Sequence, residues 1–332
     1  MTAVKRILAT FTVMAGAVMF LPSFDKSEKA TDGQFAIPAE KNFGQPEVIA
    51  EAAEQEKTDE AETAVAVRPP DNRSILLDND ILAFYGHPVA KKMGILGRYP
   101  RDELFEKLSA LADEYRSESG GRDIVKAFYI IYGTVQPEGN ILTMSQIDEP
   151  LLEEWIEYAK ERGVLVFLDH QIGKYDPVES LATMFPYLKY PNVHLALDPE
   201  WRTTKPMREF GSVSAEEINR AQEAMEKYMT ENNIEGERML VIHQFREVMI
   251  RNRANVKADF ESVRLVHCMD GVGTPKEKLE TYKFNALAKN MPVKAFKLFY
   301  DFKLPGVLVD TPLLTPKEVY ALEPRPTVIM YQ

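Results

Sequence analysis

Eight short apolar runs recur along the chain after residue 80, and their spacing limits the fold more than any other feature. Each run is nearly continuous in apolar residues, which is typical of strands buried on both faces of a parallel sheet. Parallel neighbours need a long crossover connection, so a helix is expected after each run. The predicted strands are Ile81–Tyr85, Val125–Tyr132, Val164–Asp169, Val193–Asp198, Arg238–His243, Val263–Met269, Ala295–Tyr300 and Thr327–Tyr331.

Amphipathic segments of helix length lie between these runs. In one of them Ser214 and Glu217 have the spacing of a capping box, which predicts a helix start. The predicted helices are Arg101–Ser117, Glu149–Arg162, Pro177–Leu188, Ser214–Asn232, a short one near Phe245–Asn252, Pro275–Lys289 and Thr315–Leu322.

Regular alternation of eight strands with helices predicts an α/β fold, a closed (β/α)8 TIM barrel. The alternative is an open doubly wound sheet, but no G-x-G-x-x-G motif follows the first strand. The sequence ends at Gln332, directly after the eighth predicted strand, so the eighth helix is missing. We therefore expect another segment, such as residues 68–80, to cover the outer face of that strand.

The first 24 residues have the layout of a secretory signal. Two basic residues precede an apolar run at residues 7–21, so residues 1–24 are predicted to be a signal peptide or an N-terminal membrane anchor. Residues 25–72 are rich in Glu and Ala, which predicts an acidic disordered linker. The barrel domain is placed at residues 73–332, outside the cytoplasm, either secreted or anchored at the cell envelope.

The formal net charge of the chain is −11, and an acidic surface repels nucleic-acid phosphates. We therefore expect no nucleic-acid partner, and contact with a membrane only through the N-terminal segment. The single cysteine, Cys268, excludes an intrachain disulfide and a multi-cysteine zinc site. No motif requires a cofactor or a resident metal, and the sequence does not determine the oligomeric state.

Polar side chains are concentrated where the predicted strands end, which is where barrels of this type carry their active sites. Buried carboxylates cost free energy unless they are paired, so stability alone does not explain several acids on one rim. The candidate catalytic residues are Glu200, Asp198, Asp270 and Asp301, and the candidate substrate-binding residues are Asp169, Trp201, His87, Tyr85, His243, Gln244 and Lys297.

Strand alternation predicts which of these side chains point inward. Asp198 and Glu200 share the inner face of the fourth strand, about 6.5–7 Å apart along an extended chain. Like charges this close raise the pKa of one carboxyl, which then keeps its proton for general-acid catalysis. The same parity places Asp169, Lys297 and Asp301 inside the barrel.

Aromatic residues are the third feature of the predicted rim. Aromatic faces pack against the apolar faces of sugar rings, and polar ring substituents supply hydrogen bonds. We expect Trp201, directly after Glu200, to contact a ligand. The aromatic residues at the predicted strand ends are Tyr85, Tyr132, Trp201, Phe245, Tyr300 and Tyr331.

The LDPEW motif at residues 197–201 resembles the end of the fourth strand in several (β/α)8 glycoside hydrolase families, which carry an Asp-x-Glu pair there. The resemblance implies a carbohydrate ligand and a proton-donor role for Glu200. The phrases FYGHP at residues 84–88, MGILG at residues 93–97 and VIHQF at residues 241–245 are similar to those of exported bacterial barrel proteins. Those proteins are known as hypothetical or lipoprotein sequences, with no established activity.

The first functional hypothesis is an exported glycoside hydrolase that acts on a cell-wall or extracellular polysaccharide. Glu200 is then the general acid, and Asp198 tunes it or orients the substrate. Asp270 or Asp301 is the base or the nucleophile, and the separation of the two working carboxyls decides between inversion and retention.

Two further functions remain open. One is a metal-dependent hydrolase in which His87, His243 and His267 coordinate a divalent ion together with Asp270 or Asp301. The parity of His267 is opposite to that of Asp270, which counts against this arrangement. The other is a non-catalytic barrel that binds a carbohydrate or another small polar ligand.

Overall fold

The structure, a computed structural model, describes residues 74–332. The predicted signal or anchor at residues 1–24 and the predicted linker at residues 25–72 lie outside the described residues. Within residues 74–332, none of the helices has the length and apolar character that a membrane span requires.

Eight parallel strands close into a barrel. Each strand pairs with the next along the chain, and the first also pairs with the eighth, which closes the sheet. The predicted TIM-barrel fold is therefore confirmed. The strands, numbered β1 to β8, are Asn79–His87, Asp123–Val135, Leu165–His170, Val193–Leu197, Arg238–His243, Val263–Met269, Lys294–Leu298 and Val328–Tyr331.

The described residues form six α-helices that lie outside the barrel. In α4 Ser214 accepts a hydrogen bond from the backbone of Glu217, as the predicted capping box requires. The helices, numbered α1 to α6, are Arg101–Glu118, Met144–Glu161, Pro177–Ala182, Ala215–Glu231, Pro275–Ala286 and Pro316–Tyr320.

Two helix predictions differ from the structure. The helix predicted from Pro177 ends at Ala182, and a separate 3-10 helix follows at Phe185–Lys189. The helix predicted near Phe245–Asn252 is wrong. That segment contains one 3-10 turn, and Ile250–Arg251 then pair as a short strand with residues 213–214. This pairing joins distant segments, so local sequence patterns give no sign of it.

The barrel interior is a packed core rather than a channel. Alternate residues of each strand point inward, and the rings of Tyr129 and Phe167 stack there with centroids 5.0 Å apart. Alanines on neighbouring strands, among them Ala83 and Ala196, leave the space that these rings fill. Because the lower interior is filled, the space for a ligand lies at the carboxyl ends of the strands.

The outer face of β8 is covered by aromatic rings instead of an eighth helix. Tyr331 of β8 shares a hydrogen bond of 2.8 Å with Tyr115 of α1 and stacks on Tyr300. Tyr320 of α6 packs edge-on against Tyr115. The expectation that residues 68–80 cover this face is therefore wrong for the described part of that segment.

The residues before β1 instead close the amino-terminal end of the barrel. Ile75 and Leu76 pack against the interior core. The carboxylate of Asp80 is fully buried at the start of β1 and accepts a hydrogen bond of 2.8 Å from Arg122, which precedes β2. Arg325, which precedes β8, pairs with the same carboxylate. These ion pairs join the three strands that meet where the sheet closes.

Candidate active site

A pocket of about 320 Å³ opens at the carboxyl ends of the barrel strands. Six predicted site residues line it, namely Tyr85, Asp198, Glu200, Trp201, Asp270 and Lys297. The rest of the lining is Lys92, Met93, Ile131, Thr134, Val135, Gln136, Pro137, Gln171, Pro206, Met207, Phe245, Val272, Phe299, Val307, Leu308 and Gln332.

Asp198 and Glu200 reach the pocket by a turn and not along a strand. β4 ends at Leu197, and Pro199–Trp201 form a 3-10 helix. The predicted extended spacing of the two carboxyls is therefore wrong. The turn still directs both acids and the indole of Trp201 to the pocket.

The segment after this turn is tied to the start of α4. The carbonyl of Glu200 accepts a hydrogen bond of 2.6 Å from the backbone N–H of Gly211, and a Cβ atom at Gly211 would lie 2.4 Å from the backbone nitrogen of Arg202. Arg202 in turn donates to Glu217, the capping residue of α4, at 2.6 Å. Only glycine permits this close approach at position 211. The hydrogen bonds of Gly211 and Arg202 therefore tie the backbone around Glu200 to the start of α4.

Burial is the main influence on the ionisation of these acids. Burial and, to a smaller extent, the Asp270 carboxylate raise the pKa of Glu200 to about 8, although Lys297 and the Trp201 side chain oppose the rise. Burial also raises the pKa of Asp198 well above its ordinary value, and Glu200 and Asp270 add to that rise. A carboxyl with a pKa near 8 holds its proton at neutral pH, as a general acid must.

Asp169 lies behind the pocket wall and supports one residue of that wall, Tyr85. Its Oδ2 accepts a hydrogen bond of 2.8 Å from the hydroxyl of Tyr85. Burial, with the nearby Asp169, raises the pKa of Tyr85 well above its usual range, so the phenol keeps its proton and donates. The Lys297 ammonium lies 3.6 Å from the centre of the Tyr85 ring, in a cation–π contact.

His243 of β5 lies beneath the pocket and connects three strands. Its Nδ1 lies 3.1 Å from Oδ2 of Asp270, which follows β6, and its Nε2 lies 2.9 Å from the hydroxyl of Tyr129 on β2. Oδ2 of Asp169 is 3.6 Å from the same Nε2. The imidazole is fully buried, whereas Asp270 also faces the pocket. His243 therefore contacts the site from behind and not a ligand directly.

A buried ion pair next to the pocket was not predicted. Lys278 of α5 lies 2.9 Å from Asp310, and both side chains are fully buried. The ammonium also donates to the carbonyls of Gly271 and Lys297, and Asp310 accepts from the backbone N–H of Phe299. The pair thus joins the ends of β6 and β7 to the segment that follows. A lysine within an amphipathic helix carries no sequence signal for such a role.

His87 and Gln244, which were both predicted to contact a ligand, do not line the pocket. The strand register shifts after Gly86, and Nδ1 of His87 accepts from the backbone of Val89. Burial lowers the pKa of His87 to about 4, so the ring is neutral. Gln244 follows the inward-facing His243 and points to the outer side of the barrel. There its side-chain amide oxygen, Oε1, accepts a hydrogen bond from Nε2 of His267.

The predicted inward position of Asp301 is also wrong. β7 ends at Leu298, so strand parity does not extend to residue 301. Asp301 is exposed and pairs with Lys303. Among the predicted rim aromatics, Tyr132 and Tyr331 belong to the outer core.

Several residues of the lining were missed. Lys92 and Met93 come from the segment Ala90–Gly94, which folds back antiparallel on β1. Gly94 has a φ of 104°, and a Cβ atom there would lie 2.3 Å from the carbonyl oxygen of Tyr85. No strand-end pattern indicates this hairpin. By contrast, Gln171 and Gln332 directly follow strands. A polar residue at a strand end is the same sequence feature that indicated the acids.

Within residues 74–332, no group of three or more His, Cys, Asp and Glu side chains is arranged to hold a metal ion. His267 lies outside the barrel wall, where Lys294 and Gln244 occupy its two ring nitrogens. Both ring nitrogens of His243 are likewise engaged, by Asp270 and Tyr129. The predicted set of histidine ligands is therefore not assembled.

No family model and no curated protein matches the chain. Among solved structures, Cel5A from Thermotoga maritima in complex with cellobiose is 12% identical, with a TM-score of 0.43 over 75% of this chain and 88% of that chain. The chitinase ICChI from Ipomoea carnea is 12% identical, with a TM-score of 0.43 over 76% and 94%. Oxaloacetate acetylhydrolase in complex with oxalate is 13% identical, with a TM-score of 0.43 over 76% and 75%.

These similarities include glycoside hydrolases, but the TM-scores lie below 0.5 and carry no argument about activity. The fold assignment rests on the closed parallel barrel itself.

Proposed function

We propose that the protein is a glycoside hydrolase acting on a cell-wall or extracellular polysaccharide. The observation that carries the proposal is the pairing of Glu200, a carboxyl with a pKa raised to about 8, with Asp270 on the lining of one pocket. Trp201 lines the same pocket and offers an aromatic face to a sugar ring.

In the proposed reaction Glu200 gives its proton to the glycosidic oxygen as the bond from that oxygen to the sugar carbon breaks. Asp270 either takes a proton from the attacking water or itself bonds to the sugar carbon, and water then releases the sugar. Because its pKa is also raised, Asp198 keeps its proton and adds no negative charge beside Glu200. Lys297 and Tyr85 line the same pocket and would bind sugar hydroxyls.

The test is hydrolysis of glycans by the full chain, with oligosaccharides derived from cellulose, chitin and peptidoglycan as substrates. We expect Glu200→Gln to lower kcat/KM by about 100- to 10,000-fold, because an amide cannot donate the proton. Wild-type activity should fall as the pH rises through about 8, where Glu200 loses its proton. The matched control is Glu223→Gln, on the exposed outer side of α4.

Equal activity of Glu200→Gln and wild type would contradict the assignment of the acid. Binding of an oligosaccharide without turnover by the wild type would favour the non-catalytic barrel instead. Loss of activity in both Glu200→Gln and Glu223→Gln would indicate damage to the fold.

We also propose that the protein is exported, because residues 1–24 have the layout of a signal or anchor. Fractionation of cells producing the full chain, with sequencing of the mature amino terminus, tests this. Recovery of intact chain from the cytosol alone would contradict it.

A further inference from the structure

Asp198 and Asp270 line the pocket together with Glu200, and they differ in the hydrogen bonds that their carboxyl groups make. Asp198 and Asp270 each have an Oδ1 atom that is buried and has no hydrogen-bond partner among residues 74–332. The Oδ2 of Asp270, however, is held by His243 at 3.1 Å. Among residues 74–332 no side chain holds a carboxyl oxygen of Asp198, and burial raises the pKa of that carboxyl well above its usual value. Asp270 is therefore the acid with one oxygen fixed and one free.

The hydrogen-bond donors around His243 define how it holds Asp270. A carboxylate oxygen only accepts hydrogen bonds, so the contact of 3.1 Å with Oδ2 of Asp270 places a ring proton on Nδ1 of His243. In the neutral ring Nε2 is then an acceptor, and the hydroxyl of Tyr129, 2.9 Å away, donates to it. Burial raises the pKa of Tyr129 well above its usual range, so the phenol keeps the proton that it donates. Asp270 and Tyr129 therefore favour the same tautomer.

The other groups that face the imidazole agree with this arrangement. Asp169 lies 3.6 Å from Nε2, but its Oδ2 already accepts from Tyr85. The Tyr85 ring lies edge-on to the imidazole, with centroids 6.4 Å apart. Because the imidazole has no exposed surface, it cannot touch a substrate. Any effect on catalysis must therefore pass through Asp270.

We propose that His243 is the positioning residue for Asp270, and that Asp270 is therefore the carboxylate that works opposite Glu200. The proposal rests on the proposed function and deepens it. Through Nδ1–H, His243 holds one carboxylate oxygen of Asp270 and leaves the other, Oδ1, without a hydrogen-bond partner among residues 74–332. Tyr129 keeps His243 in the tautomer that can do so.

The first test is independent of activity and uses the full chain labelled with 15N-histidine. We expect a slowly exchanging ring proton on Nδ1 of His243, identified by its absence in His243→Asn. This signal should vanish or shift strongly in Asp270→Asn and in Tyr129→Phe, and should persist in Asp198→Asn. A ring proton on Nε2 of His243 in the wild type would overturn the proposal.

The second test is kinetic. His243→Leu should lower kcat by about 100-fold with KM within about threefold, since a misplaced catalytic group costs about this much. His243→Asn, whose amide can donate from the Nδ1 position, should recover at least about tenfold of that loss. The control is His194→Gln, another buried inward-facing histidine far from the pocket, which should change the melting temperature but not kcat.

The outcomes separate the two proposals. Full kcat in His243→Leu, or no recovery in His243→Asn, overturns the positioning role. A wild type that shows the Nδ1 proton but cleaves none of the glycans refutes the proposed function, and the contact between His243 and Asp270 still stands.

Discussion

Glu200 shows how one side chain links the chemistry of the pocket to the stability of the fold. Its pKa in the folded protein is about 8, whereas its ordinary value is 4.5. The folded protein therefore holds this proton more tightly than the unfolded chain does. The contribution of Glu200 to stability is complete below about pH 4.5 and is lost as the pH rises through about 8.

Replacement of this carboxyl by an amide should make stability less dependent on pH. We expect Glu200→Gln to match the wild type in free energy of unfolding near pH 5. At pH 9 it should be more stable by about 1–2 kcal/mol, after allowance for contact of the carboxyl with solvent in the pocket. Urea unfolding at pH 5, 7 and 9 measures this difference. A difference that is constant with pH, as we expect for the exposed control Glu223→Gln, would contradict the raised pKa.

At the scale of elements, the strands could be predicted because the signal is local. A strand buried on both faces must be apolar along its whole length, so each strand is visible in the sequence as a continuous apolar run. The same parity predicted an inward position for Lys297, which lines the pocket. It failed at Asp301, because Asp310 accepts a hydrogen bond from Phe299 and the chain leaves the sheet there. Such a contact between distant residues has no trace in local periodicity.

The ion pair between Lys278 and Asp310 should stabilise the segment that follows β7. Lys278→Met leaves the Asp310 carboxylate buried without its cation, at a cost of about 3–5 kcal/mol in the free energy of unfolding. The double variant Lys278→Met with Asp310→Leu should recover most of this loss, because both charges are then absent. Urea unfolding measures both.

The control for this pair is Lys276→Met, an exposed lysine on the same helix, which should change stability by less than about 0.5 kcal/mol. Equal stability of Lys278→Met and Lys276→Met would show that the buried pair adds nothing to the fold.

Across the whole molecule, burial keeps four of the five histidines neutral. It lowers the pKa of His87 and His170 to about 4, that of His194 to about 3, and that of His267 well below its usual value. Each of these rings has a lower pKa in the folded protein than in the unfolded chain. Their contribution to stability is therefore complete above about pH 6.5 and is lost as the pH falls through about 4.

His170 offers the clearest test, because its Nδ1 has no hydrogen-bond partner among residues 74–332 and its ring packs on the backbone at Gly133. We expect the wild type to lose on the order of 3 kcal/mol of unfolding free energy through this residue between pH 6.5 and pH 4. His170→Leu should lack that part of the loss, whatever the substitution costs at neutral pH. The control is Asn192→Leu, a buried polar residue that does not titrate, which should lower stability equally at every pH. Unfolding curves of His170→Leu that run parallel to those of the wild type over this range would show that burial of His170 does not contribute to acid sensitivity.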